Sequence, residues 1–285
     1  MADINRSTTI TLPADVSEEI MQKMQDDSAV MKLATKVPLA GRGKEIPVIT
    51  SDPEAAWVGE TEKKPVNNPG VALKTLRPYK LAVIETFSEE FTRDMKALYD
   101  ALIARMPRAL GKKFDHTVLG GTAKPGSDFD NFAACTAQAL TATTAYDALV
   151  AADTDISTHG GMVNGYAMSP QARGVLLAAK DNDGRPLFIN NVSEGAIPMI
   201  LGAKTEFNKG MYAAGSPNKV GVVGDWSQAM YGTVNDVRIK ISDQATLEVD
   251  GETINLWQQN MIAVLAEIEI GFRADTSVFN MLTIA

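Results

Sequence analysis

The stretch from Lys44 to Phe91 reads KEIPVITSDPEAAWVGETEKKPVNNPGVALKTLRPYKLAVIETFSEEF. Its β-branched run, Ile46 to Thr50, predicts a short strand. Asp52 to Glu60 then carries Trp57 toward a polar tip, Thr61 to Gly70, which holds Glu62, Lys63, Lys64 and two prolines. Val71 to Glu85 returns extended, and an amphipathic helix follows. Limbs of about twelve residues at ~3.3 Å each reach roughly 40 Å, well beyond the radius of a domain this size. An isolated hairpin is marginal in water. One with so little of its own to pack on needs its partner elsewhere, which points to assembly with other chains rather than to catalysis.

Several residues of this stretch are expected at contacts between subunits: Trp57, Glu60, Glu62, Lys63, Lys64, Arg77 and Tyr79. Exposed ion pairs are worth about 0–1 kcal/mol each. The Glu–Lys cluster therefore suits salt-sensitive pairing, and the ordinary alternative is a solvated turn. Trp57 and the apolar limbs are expected to carry more of the energy, since buried aromatics dominate interfaces. The alternative for Trp57 is packing inside its own subunit. Pro78 lacks a ladder donor and belongs on an edge or at a bulge.

The chain has 285 residues, enough for one large domain or two smaller ones. With 45% hydrophobic and 22% charged residues it reads as globular. Without a run of ~18 apolar residues no membrane span is expected, and the first residues lack a signal-peptide pattern. The net charge of −8 disfavours a broad nucleic-acid-binding face. Cys135 stands alone, which excludes an internal disulfide and fits a reducing compartment. His116 and His159 are not at metal-ligand spacing.

Along the chain, residues 1–50 look like an arm with too little apolar surface to fold alone. Asp15 or Ser17 caps a short helix with Val16, Ile20 and Met24 on one face, broken at Asp26-Asp27-Ser28. A long helix is expected from Thr86, where Thr86-Phe87-Ser88-Glu89 matches a capping box. Phe87, Phe91, Met95, Leu98, Leu102 and Met106 form its stripe, and Pro107 kinks or splits it before Gly120. The Ala-rich middle predicts a helix after Thr143 or Thr144, a strand at Tyr166–Met168, a helix start at Ser169-Pro170 and a turn at Asp181 to Gly184. Further strands are expected at Ile197 to Lys204, Lys219 to Val223 and Val237 to Ile241. Ile262 to Phe272 alternates with period two, with Glu267 and Glu269 on the opposite face. There is no phosphate-cradling or dinucleotide glycine motif and no nucleophile elbow, so no cofactor is expected. A Cys135–His159 nucleophile pair is disfavoured because a lone cysteine in an Ala-rich stretch reads as a small buried hydrophobe.

The order of these pieces resembles the tailed-bacteriophage major capsid protein family with the Hong Kong 97-type fold. The carrying motifs are Ile46 to Thr50, Ala56-Trp57-Val58-Gly59-Glu60, Lys64-Pro65, Leu76-Arg77-Pro78-Tyr79 running into Phe87 to Phe91, Gly224-Asp225-Trp226-Ser227, and Met261 to Phe272 followed by Arg273. The resemblance spans essentially the whole chain and implies an α+β fold. Its parts would be an N-terminal arm (1–50), an extended hairpin loop (51–85), a peripheral domain with a spine helix (86–129 and 226–285) and an axial domain (130–225). It implies a structural protein, not an enzyme, that self-assembles into the hexamers and pentamers of an icosahedral head around double-stranded DNA. Implied partners are further copies of itself, a separate scaffolding protein, a portal and decoration proteins. With only about 50 residues and Met1 before the hairpin, a separate scaffold is expected rather than a cleaved N-terminal one. The alternatives are an encapsulin-like nanocompartment shell and, from another class, a small-molecule enzyme built on the Ala-rich domain.

Overall fold

The computed structural model describes residues 21–51, 55–64, 66, 70–95, 102–181, 183–188, 199–249 and 251–285. Its strands in chain order are β1 (Thr35–Pro38), β2 (Lys44–Ser51), β3 (Gly70–Leu76), β4 (Tyr79–Ser88), β5 (Thr136–Ala139), β6 (Gly165–Met168), β7 (Met199–Ile200), β8 (Ala203–Phe207), β9 (Asn218–Gly224), β10 (Ala229–Thr233), β11 (Arg238–Ser242), β12 (Thr246–Val249), β13 (Glu252–Asn255), β14 (Met261–Ala274) and β15 (Phe279–Ile284). The helices that lie wholly within the described residues are α1 (Ala29–Leu33), α2 (Glu89–Asp94), α3 (Met106–Val118), α4 (Ala145–Thr158) and α5 (Pro170–Ala178), and residues 21–26 and 102–103 are helical as well.

The period-two segment becomes β14, the axis of a five-stranded sheet. Ile270 lies opposite both Tyr79 and Thr233, so β4 and β10 flank β14 on its two sides. Strand β4 runs antiparallel along ten residues of one side. On the other side β11 takes the first half of β14 and β10 the second, with β1 added parallel to β10. A second sheet has the order β5-β15-β9-β6-β8-β7. Strand β15 sits between β5 and β9, so the segment 226–285 is shared between both sheets.

The chain passes between the sheets three times: once from β4 to β5 by way of α2, α3 and the linker, and twice directly from strand to strand, at Asp225 and at Asp275. Each carboxylate accepts from the backbone N–H and the hydroxyl of the serine two residues on, Ser227 and Ser277. These bonds hold a single tight turn in each direct passage. The two direct passages also bond to one another: the Asp225 N–H donates to the Val278 carbonyl at 3.1 Å, and the Asp275 N–H to the Gln228 carbonyl at 3.2 Å. In the core, Met106, Leu110, Phe114 and Val118 recur every fourth residue and all face inward from α3. Phe132 then joins the sheets. Its ring lies 5.7 Å from Phe272 of the first sheet and 4.5 Å from Phe279 of the second.

Several expectations change. The predicted helix cap at Thr86 moves to Ser88, whose hydroxyl accepts from the Phe91 N–H, because Thr86 and Phe87 are held in β4 by pairing with β14. Helix α2 ends at Asp94; Leu102 and Ile103 are helical, a turn follows at 104–105, and α3 begins at Met106 with Pro107 in its first turn, so of the two expected effects of Pro107 the structure shows the split. Within 199–207 the expected single strand is a tight hairpin, with Leu201 and Gly202 at φ 47° and 82° between β7 and β8. The arm, expected to be unable to fold alone, packs on the body where it is described: Met21, Met24, Val30 and Met31 are buried in the main core, and β1 joins the body sheet. Val16, Ile20 and Leu98 lie outside the described residues. The middle-region helices and strands otherwise fall where the sequence put them. Ser169 accepts from the Ala172 N–H, and Asp181 accepts from the Asp183 and Arg185 N–H groups.

Candidate assembly surface

Strands β2 and β3 form a ribbon of their own, in register from Lys44 opposite Leu76 to Ile49 opposite Val71, with a shift of one residue before Ser51 meets Gly70. Pro47 is tolerated because the ribbon has no third strand for its nitrogen to serve. The ladder is shorter than the sequence suggested. The return limb leaves it at Arg77-Pro78 to become β4, so seven paired residues give about 23 Å of ribbon.

The base of the ribbon is fixed. Leu76 is fully buried. Arg273, at the end of β14, donates from Nε to the Thr75 carbonyl at 2.8 Å and pairs with Asp130 at 2.9 Å and Asp128 at 3.1 Å. One part-buried guanidinium thus joins the hairpin, the 127–130 linker and the body sheet, a geometry its planar fork suits. Asp115 does similar work for the arm. It is buried on α3 and accepts from the Ser28 hydroxyl at 2.6 Å, the Ala29 N–H at 2.9 Å and the Val30 N–H at 3.4 Å. Burial pushes its carboxyl up to about 7, against the opposing pull of those donors and of Lys32. On β14, Glu267 receives Lys240 at 2.8 Å and Lys80 at 3.8 Å. The Lys240 hydrogen bond leads in holding its carboxyl below the usual range.

The tip is unlike the base. Trp57 is fully exposed, which removes the alternative of packing within its own subunit. Val58 and Val66 are exposed beside it, as are Glu60, Glu62, Lys63 and Lys64. The Glu62 carboxylate accepts from the Gly59 N–H at 3.0 Å and so shapes the turn. No ion pair joins these four charges among the described residues. The other two contact candidates lie at the opposite end of the ribbon. Arg77 is exposed at the base. Tyr79 is half-buried and engaged by its own chain: its hydroxyl accepts from the Asp128 N–H at 3.3 Å, and its ring meets Phe129 edge-on at 6.2 Å.

Cys135 has the packing role expected of it. Burial pushes its thiol up to about 12, and Sγ donates to the Thr276 carbonyl. His159 Nδ1 donates to the Asp155 carbonyl of its own helix at 2.8 Å.

Comparison with known proteins bears on this architecture directly. The family model described as the phage capsid family matches residues 8–275. The probable major capsid protein gp17 of Mycobacterium phage D29 is 29% identical over 289 residues, covering 95% of this chain and 89% of that protein. A solved structure from Mycobacterium phage Cain superposes with a TM-score of 0.74 at 25% identity, covering 91% of this chain and 90% of that one. One from Gordonia phage Cozz gives 0.75 at 22% identity, covering 91% and 87%. With an α+β architecture of the Hong Kong 97 type and a match over nearly its whole length, the chain belongs to the phage capsid family.

Proposed function

We infer that this chain is the major capsid protein of a tailed bacteriophage, a structural subunit of the virion shell and not an enzyme. The family match across 8–275 carries that reading. Copies of the chain form hexamers and pentamers that close into an icosahedral head around double-stranded DNA. The ribbon tip with Trp57, Glu60, Glu62, Lys63 and Lys64 lies over an adjacent copy, and Arg77 contributes at the base. A fully exposed tryptophan on a two-stranded ribbon supports this, because such a group gains its burial only from a second chain. Residues 86–129 with the first sheet act as the peripheral domain, and the second sheet with α4 and α5 as the axial domain. Assembly takes place in the host cytoplasm with a separate scaffolding protein and a portal. Many modest contacts around a closed shell act together, so no single pair has to be tight.

Deleting Glu60 to Gly70 tests the role of the ribbon. The variant is expected to stay a folded, soluble subunit by circular dichroism yet form no shells under electron microscopy. Normal shells from it would remove the ribbon from the assembly mechanism.

A further inference from the structure

A cavity of about 320 Å³ opens between α3 and the body sheet. Its wall is mostly apolar, with Tyr79 and Leu81 of β4, Phe114 of α3, Ile270 of β14 and Phe129 from the linker, and with Thr117 and Thr122 adding hydroxyls. Lys113 stands exposed at its rim, and exposed Lys124 follows Ala123, another lining residue. Lys80 turns its ammonium to the other face of the sheet, 3.8 and 3.9 Å from Glu267 and Glu269. Lys113 makes no ion pair among the described residues.

We propose that this cavity receives the Trp57 side chain of a second copy of the chain, with Glu60 and Glu62 of that copy meeting the lysines at the rim. The inference rests on the assembly reading above and adds the receiving site. Three observations support it. The cavity is lined by aromatic and aliphatic groups, as pockets that take an aromatic anchor are. The stretch 55–62 carries two carboxylates and no cation, opposite in sign to the rim. Trp57 is fully exposed on its own chain, and about 20 Å of ribbon separates that end from its own Tyr79. Lys63 and Lys64 follow at once, so the charge match belongs to the Trp57 flank of the tip. Tyr79 then takes part from the receiving side, which reconciles its place among the contact candidates with its engagement in its own chain.

The test uses shells from cells that make wild-type chain in excess with small amounts of two variants, Trp57→Cys and a tagged Ala123→Cys. After oxidation, denaturing gels are expected to show a linked tagged–untagged pair at least ten-fold above shells holding either variant alone, which sets the background through Cys135. Linkage no greater than that background overturns the proposal while shells still form. Failure of the wild-type chain to form shells when made together with its scaffolding protein overturns the assembly reading itself, and this inference with it. Ala123→Trp fills the cavity mouth. It is expected to raise the concentration needed for assembly at least ten-fold while the subunit unfolds at an unchanged temperature. Unchanged assembly of Ala123→Trp would equally overturn the proposal.

Discussion

A carboxylate removed from water is costly to ionise, and Asp115 is surrounded by donors from one short stretch, 28–30. Its folded-state carboxyl titrates near about 7, against an ordinary value of 3.8. Between those values the folded chain holds more protons than the unfolded one. The contribution is therefore full below the ordinary value and is lost as pH rises toward and through 7. Asp115→Asn keeps the size and one acceptor while removing the titration. Relative to wild type, the variant should gain on the order of 1 kcal/mol or more between pH 4.5 and 7.5, read by denaturant unfolding at both values. Parallel pH profiles would show that Asp115 does not titrate in the native range. Nothing in Lys112 to His116 advertised this residue. The helical stripe through Leu110, Phe114 and Val118 was legible, but Gly111 and Asp115 form a second buried face, against the arm. A polar residue on such a face reads as solvent-exposed until its partner is known. Arg273 was hidden likewise, because Asp128 and Asp130 lie more than 140 residues away.

Elements were legible where a local pattern and a tertiary partner agreed. The alternation of β14, the Ser169-Pro170 helix start and the ribbon each carried their own signal. The capping box at Thr86 failed because β14 pairs through to Ser88, and ten residues of ladder outweigh one cap. Strand β1 had no legible period, since an edge strand is placed by its neighbour. That neighbour includes Gly232, where a Cβ would sit 2.5 Å from Leu39 Cγ and 2.7 Å from the Val37 carbonyl oxygen. Gly232→Ala should cost about 1–3 kcal/mol by overpacking. The damage should fall on the arm, with hydrogen exchange quickening across 29–39 before it does so in β14. Uniform loss of protection would contradict a docking role for Gly232.

At the scale of the whole molecule, the two sheets share one aromatic core centred on Phe132. Phe132→Ala should cost about 4 kcal/mol and lower the protection of both sheets together in native-state hydrogen exchange. Loss confined to one sheet would mean that the sheets are energetically separate. The placement of β15 in the second sheet was not readable from sequence, because its partners β5 and β9 lie well over fifty residues upstream. The paired passages at Asp225 and Asp275 carry a mechanical consequence. A single strand between two bodies is a swivel, since rotation about its bonds turns one body freely on the other. Two strands side by side, bonded to each other, act as a two-pin joint: bending about the line through both pins remains soft, while twisting strains both at once. A pull on one sheet would then reach the other as tension shared by both passages rather than as torque on one.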